Sequence, residues 1–430
     1  MIRRMRAGSE EFEEYLRLSY AGLEEAEAAV AEIGRLVKER GDAALCELTE
    51  RFDGARLTPE TLRVSDGEIE EAYGAVDDDF MESLLIAIDN VTAFHQKQVQ
   101  HSWMEPDEVG NILGQLCRPL QRVGIYVPGG TAAYPSSVLM NAIPAVVAGV
   151  TDIAMVTPPD RQGKVNPHTL VAASEVGLDE IYKVGGAQAV FALAWGTGSI
   201  APVEKITGPG NLYVTLAKKM VYGQVDIDML AGPSEILVIA DSSANPAYLA
   251  ADLMSQAEHD VLARCILVTD SPELFDRVEG ELRQQMATLG RAAIIERALR
   301  DYGAFILVRD MEEACRVANR VAPEHLEVMA RDPFRWLGCI RNAGAIFLGE
   351  YTPEPVGDYF AGPNHILPTG GTARFYSPVT VDTFTKKSSV LYYSREGLAE
   401  ASEHIVRLAE VEGLTAHANA IRARKGDGTL

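Results

Sequence analysis

The sequence predicts an α/β fold with two parallel sheets, and three observations lead there. From Arg122 onward, short apolar runs of strand length alternate with stretches of helical length. The alternation occurs twice, through residues 123–194 and again through 235–329. Glycine-rich turns close several of the apolar runs. Alternation of this kind implies parallel strands covered by helices on both faces. Two incomplete Rossmann-like parallel-sheet domains are therefore expected, with small helical segments at the two ends of the chain.

Each element has its own justification. The residues through Tyr20 are highly charged and read as an arm rather than core. Residues 23–48 carry apolar side chains at helical spacing, an amphipathic helical region. The run 123–127 ends in Pro128-Gly129-Gly130 and precedes a helix over 138–148. The run 153–156, a helix over 168–176, the run 181–184 and a helix over 187–194 complete the first series. The second series places strands at 235–240, 265–268, 304–308 and 327–329, with helices between them. Residues 379–393 alternate weakly and are rich in Thr and Ser. Residues 396–424 read as helical, with an acidic start and a basic end that suit the helix dipole. The charged arm and this tail are poorly equipped to form cores, so docking on a partner subunit is expected.

Composition narrows the chemistry. Against 39 Lys+Arg stand 62 Asp+Glu, a net charge of −23, which repels nucleic acid and anionic membranes. Cys46, Cys117, Cys265, Cys315 and Cys339 include no Cys-x-x-Cys pair, so reduced thiols in a cytoplasmic protein are expected, mostly as core filler. Residues 1–6 are basic, but acidic residues follow at once, which does not suit a signal peptide. The longest apolar stretch, 142–156, is interrupted by Pro144, Gly149 and Asp152 and is too short to span a bilayer.

Four separated stretches carry the chemistry: Gln256-Ala-Glu-His259, Pro323-Glu324-His325, Gly357-Asp358-Tyr359 and Thr415-Ala416-His417. Gln256 and His259 are three apart at what reads as a helix end, so both side chains reach one point. Gln256, His259, Asp358 and His417 form a nitrogen and oxygen ligand set. Zn²⁺ fits it, and Mn²⁺ or Co²⁺ can substitute, since no thiolate enforces softness. Glu324 beside His325 can divide proton transfers, the imidazole taking one and the carboxylate activating water. Taken singly, each motif also fits a polar helix end or a surface turn. Glycine loops at 128–130, 184–188, 207–211 and 231–234 let backbone amides approach a phosphate or a substrate. None completes Gly-x-Gly-x-x-Gly, since Leu212 and Tyr213 follow Gly208-Pro-Gly210.

Taken together, these stretches closely resemble the histidinol dehydrogenase family over nearly the whole chain. The resemblance also rests on Gly41-Asp42-Ala43-Ala44-Leu45, Phe52-Asp53-Gly54, residues 122–130, Gly208-Pro-Gly-Asn211, Ala231-Gly-Pro-Ser-Glu235 and residues 363–371. It implies oxidation of L-histidinol through L-histidinal to L-histidine, the last steps of histidine biosynthesis, with two NAD⁺ reduced. It implies Zn²⁺ on Gln256, His259, Asp358 and His417, and NAD contacts from Tyr126, Gln188 and Asn211. It implies substrate contacts from Ser234, Gln256, His259, His325, Asp358, Glu412 and His417, with Glu324 and His325 moving protons. It also implies a homodimer with exchanged terminal segments, in which Glu412 and His417 enter the partner's site. On this reading the chain divides into an arm (1–22), a first α/β domain (23–125 with 237–378), a second carrying the NAD contacts (126–236) and a dimerisation segment (379–430). Residues 381–390 look like the histidinol-specific form of the family. Rival readings are oxidation of another alcohol, a metal hydrolase and a binding protein without turnover.

Overall fold

The computed structural model describes residues 2–17, 23–129 and 133–425. Residues 18–22 of the expected arm and Gly130 of the first glycine loop lie outside the described residues. The chain forms two units, one of Met1–Gln98 with Leu120–Phe384 and one of Val99–Pro119 with Thr385–Leu430.

The first unit holds two all-parallel sheets. The larger has six strands in the order Arg3–Arg6, Ala304–Leu307, Arg264–Thr269, Glu235–Ala240, His325–Met329, Ala345–Leu348. Its central strand Glu235–Ala240 is buried at every position because helices cover both faces. Ile236 and Val238 pack under the helices Pro246–Ala257, Glu273–Met286 and Ala292–Asp301. Leu237 and Ile239 face the helix Met311–Val321 on the other side, the two-residue alternation of a strand.

The N-terminal segment departs from the sequence expectation. Arg3–Arg6 is an edge strand paired in parallel with Ala304–Leu307. The helix Glu10–Leu16 buries Phe12 and Tyr15 against the same sheet. Arg4 pairs with Asp276 at 2.8 Å and Glu13 with Arg320 at 2.8 Å. The charges that suggested an arm are the outer rim of an element anchored by Met5, Phe12 and Tyr15.

The smaller sheet has five parallel strands in the order Glu180–Lys183, Asp152–Thr157, Arg122–Tyr126, Lys205–Thr207, Asp226–Ile227. Helices Pro135–Ala148 and Pro167–Glu175 cover one face, backed by Asp66–Tyr73 and Asp78–Gln96. Helices Gly186–Trp195 and Leu212–Val221 cover the other, backed by Leu23–Arg40 and Asp42–Asp53. Gly34 permits this close approach, since a Cβ there would lie 2.9 Å from Phe191 Cζ. Residues 23–96 thus pack with the five-stranded sheet, where the sequence reading grouped 23–125 with 237–378. Arg122–Tyr126 is the sheet's central strand, so the sheet begins ahead of residue 126. The helical region over 23–48 is two helices, separated at Gly41, whose φ is +53°.

In the second unit, Thr385–Tyr392, Ile112–Pro119 and Trp103–Pro106 form an antiparallel three-stranded sheet. The helix expected over 396–424 is two, Arg395–Val411 and Thr415–Lys425, separated at Gly413 with φ +74°. Among the described residues, no helix is long and apolar enough to cross a membrane. Cys265 and Cys315 are buried, Cys46 is half-buried against the core beside the smaller sheet, Cys117 is half-buried and Cys339 is exposed.

Candidate active site

The site forms where Glu235–Ala240 and His325–Met329 begin side by side, His325 lying opposite Ile236. Helix Met311–Val321 ends on Ala322, which adopts left-handed backbone with φ 52° and ψ 60°. Pro323 follows, and the turn delivers Glu324 and His325 to the mouth of the strand. The Glu324 carboxylate accepts the Glu235 N–H at 2.9 Å. His325 Nδ1 lies 3.2 Å from the Glu235 carbonyl. Nε2 is buried and without a hydrogen-bond partner among the described residues. It lies 3.7 Å from Asp358 Oδ1 and 4.0 Å from Glu354 Oε1.

Gln256 and His259 come from the C-terminal end of Pro246–Ala257 and the turn after it. Asp358 comes from the short helix Glu354–Tyr359, and its carbonyl accepts His365 Nδ1 at 3.0 Å. His259, Glu354 and Asp358 each place a ligand atom within 4.8 Å of the others. The buried Gln256 carboxamide is satisfied when its nitrogen faces His325 Nδ1 at 3.0 Å, Glu354 Oε2 at 3.2 Å and the Glu235 carbonyl at 3.3 Å. Its oxygen is then directed away from those acceptors. The donors are nitrogen and oxygen throughout, and the carboxylates of buried Glu354 and half-buried Asp358 stand beside buried His325 and exposed His259. A divalent cation of the zinc type fits this donor chemistry and balances that charge.

Electrostatics follow from burial and crowding. Burial pushes the Glu324 carboxyl up to about 8, with Glu235 and Glu354 adding to the rise and His325 opposing it. Burial also lifts Glu354 to about 7, against the pull of His325. For His325 burial disfavours charge, but the carboxylates of Glu354, Glu324 and Asp358 outweigh it and hold the imidazole well above its ordinary range. Asp358 is partly buried too, yet the nearby imidazole of His325, with the charges of His365 and His259, keeps it below the usual carboxylate range. Loss of solvent around its partly covered ring lowers His259, the direction that suits a metal-ligating imidazole.

The expected cofactor residues gather at the C-terminal edge of the five-stranded sheet, where α/β folds bind ligands. Tyr126 ends its strand, and its hydroxyl accepts the Gly186 N–H at 3.1 Å. Gln188 is buried in the first turn of Gly186–Trp195, with its oxygen unpartnered among the described residues. Asn211 caps Leu212–Val221, accepting the N–H groups of Tyr213 and Val214 at 3.0 and 3.2 Å. The loop 231–234 connects this edge to the carboxylates. Thr215 Oγ1 donates to the Ala231 carbonyl at 2.9 Å, Gly232 N–H donates to Thr369 Oγ1, and Ser234 directly precedes Glu235.

The structure therefore brings together Gln256, His259, Asp358, Glu324 and His325, with Ser234 at the adjoining loop. Glu412 and His417 belong to the second unit, where both are exposed, and His417 is not a member of the three-residue ligand group. Sequence reasoning missed Glu354 and Glu235. Glu354 had a readable signal, because it lies four residues before Asp358 and shares its helix face. Glu235 had none, since its backbone carries much of its role.

Comparison with known proteins agrees with this geometry. The family model described as Histidinol dehydrogenase matches residues 18–425. Histidinol dehydrogenase from Heliobacterium mobile is 60% identical over 395 residues, covering 92% of each chain. The protein of that name from Moorella thermoacetica is 57% identical over 398 residues, 93% of this chain and 94% of its own. The crystal structure of histidinol dehydrogenase from Elizabethkingia anophelis superposes with a TM-score of 0.94 at 37% identity, covering 98% of both chains. A match across this length, on a fold whose histidines, carboxylates and glutamine converge as described, shows that the chain belongs to the histidinol dehydrogenase family.

Proposed function

We propose that the protein oxidises L-histidinol to L-histidine through L-histidinal, reducing two NAD⁺ and consuming one water. The observation that carries the reading is the convergence of Glu324-His325 with Gln256, His259 and Asp358, beside a loop continuous with the Tyr126–Gln188–Asn211 edge. Gln256, His259, Asp358 and a His417 donated by a partner would hold the zinc ion. Glu354 adds negative charge to that group. When bound, the cation supplies an anchor for the substrate's imidazole and amine nitrogens, and NAD supplies the hydride acceptor.

The chain's own residues supply the rest. The Glu235 carbonyl orients His325 through Nδ1, so that Nε2 takes the hydroxyl proton of the alcohol. Glu324, held by the Glu235 N–H, takes a proton from the water that adds to the aldehyde. His325 accepts a second proton as the hydrate becomes the acid. No thiol is needed, because water attacks the aldehyde directly. Glu412, from the partner, would bind the substrate's amine. In this proposal each chain's exposed Glu412 and His417 complete the other chain's site in a homodimer.

A panel of alcohols assayed with NAD⁺ tests the substrate. Histidinol is expected to be the preferred one, and Glu412→Ala to damage its oxidation severely. Equal turnover of an alcohol without imidazole or amine would favour a different member of the family. Release of product with no nicotinamide reduction would favour a hydrolase.

A further inference from the structure

We infer that the buried Lys218–Asp228 ion pair is a positioning device for the dinucleotide, clamping both polar groups of the Gly208 residue in the cofactor loop. The inference rests on the proposed NAD contacts of Tyr126 and Asn211.

Lys218 lies on Leu212–Val221, and Asp228 directly follows the strand Asp226–Ile227. Their side chains are 3% and 1% exposed, and they form an ion pair. Each also reaches the same loop residue. Asp228 Oδ2 accepts the Gly208 N–H at 2.7 Å, and Lys218 Nζ donates to the Gly208 carbonyl at 3.0 Å. Asp228 Oδ1 further accepts the Met229 N–H at 2.6 Å. Gly208 has φ +118°, and a Cβ there would lie 2.1 Å from the Tyr126 carbonyl oxygen. Gly208 is thus fixed between the end of the central strand and the ion pair. Three residues on, Asn211 caps the helix that carries Lys218. The arrangement closes on itself: the helix begun by Asn211 reaches back to hold the loop that leads into Asn211.

Stability alone does not account for this pair. Burying two charges is costly, and well-packed apolar residues in their place are often as stable. Apolar residues cannot bind an N–H and a C=O pointing in different directions, which the pair does. Its effect is to fix the spacing between Tyr126 and Asn211, which end adjacent segments at the sheet's C-terminal edge. Arg122 and Glu180 form a second pair at the opposite, N-terminal ends of their strands in the same sheet, with side chains 18% and 19% exposed. That pair reaches no cofactor loop and serves as a control.

The experiment measures NADH binding to the full-length, zinc-loaded protein by fluorescence, together with KM for NAD⁺ and for histidinol. The double variant Lys218→Met with Asp228→Asn removes the ion pair and the hold on the Gly208 carbonyl and leaves no lone buried charge. It is expected to weaken NADH binding and raise KM for NAD⁺ about tenfold or more, as small misplacements of binding groups do, with KM for histidinol changed little. Glu180→Gln is expected to lower Tm and leave NADH binding unchanged. If the double variant does not fold, Lys218→Arg, which keeps the charge pair but displaces the donor that holds the Gly208 carbonyl, is expected to show the same selective loss in milder form. Unchanged NADH binding in a folded variant, or equal losses of dinucleotide and histidinol affinity, would overturn the inference while leaving the proposed reaction standing. An unsubstituted protein that binds no NADH would overturn the cofactor assignment and the clamp together.

Discussion

At the scale of single residues, the account depends on Glu324 and His325 having separate tasks although they are adjacent in sequence. Their surroundings differ enough to allow it. His325 faces the Glu235 carbonyl with Nδ1 and the ligand group with Nε2, whereas Glu324 accepts the Glu235 N–H at 2.9 Å. His325→Asn is expected to reduce histidinol turnover by about 10²- to 10⁴-fold, the usual contribution of a positioned acid–base group, with metal content unchanged. Glu324→Gln is expected to slow oxidation of supplied histidinal more than conversion of histidinol to the aldehyde. Steady-state rates on each substrate and metal analysis check both, and equal slowing of the two steps in Glu324→Gln would contradict the division. The motif Pro323-Glu324-His325 was legible because an acid beside an imidazole has an obvious chemistry. Glu354 was less so: its spacing of four from Asp358 could be read, but no local pattern states its burial next to His325 and His259.

At the scale of elements, the turn into the catalytic strand stores strain. Ala322 has φ 52°, and it is the one described non-glycine residue with positive φ. It also precedes proline, which restricts it further. Its N–H still closes the helix on the Ala318 carbonyl at 2.7 Å. Left-handed backbone costs a residue with a Cβ about 1–2 kcal/mol. Ala322→Gly is therefore expected to leave stability unchanged or raise it by up to about 1 kcal/mol, although alanine to glycine inside a helix costs about 1 kcal/mol. Ala322→Val is expected to lower it by about 1–2 kcal/mol, since β-branching worsens the same clash. Denaturant unfolding of the three proteins decides, and a destabilised glycine variant would contradict the strain. The long strands were readable as apolar runs because both sheet faces are covered. Lys205–Thr207 and Asp226–Ile227 were not, being three and two residues long. The edge strand Arg3–Arg6 was hidden because only Met5 among its four residues turns inward.

At the scale of the whole molecule, the sequence revealed two parallel sheets but not which helices accompany each. The helices of residues 23–96 precede the first strand of the five-stranded sheet, and only the match between their apolar faces and Phe191, Val190 and Leu170 settles where they pack. The proposed exchange of tails has a direct test. His259→Asn and His417→Asn should each be inactive alone. Co-expressed, they should recover roughly a quarter of native activity if chains pair at random and ligands come from both subunits. Recovery of none would place all ligands within one chain. The central claim is that a single thiol-free centre, using a nitrogen- and oxygen-bound cation and the Glu324-His325 couple, carries out both oxidations. The most direct measurement is NADH formed per histidinol consumed, with and without a chelator. The account predicts two NADH per histidinol, with loss of turnover on chelation and recovery on adding Zn²⁺. One NADH with free histidinal accumulating, or full activity after the metal is removed, would contradict it.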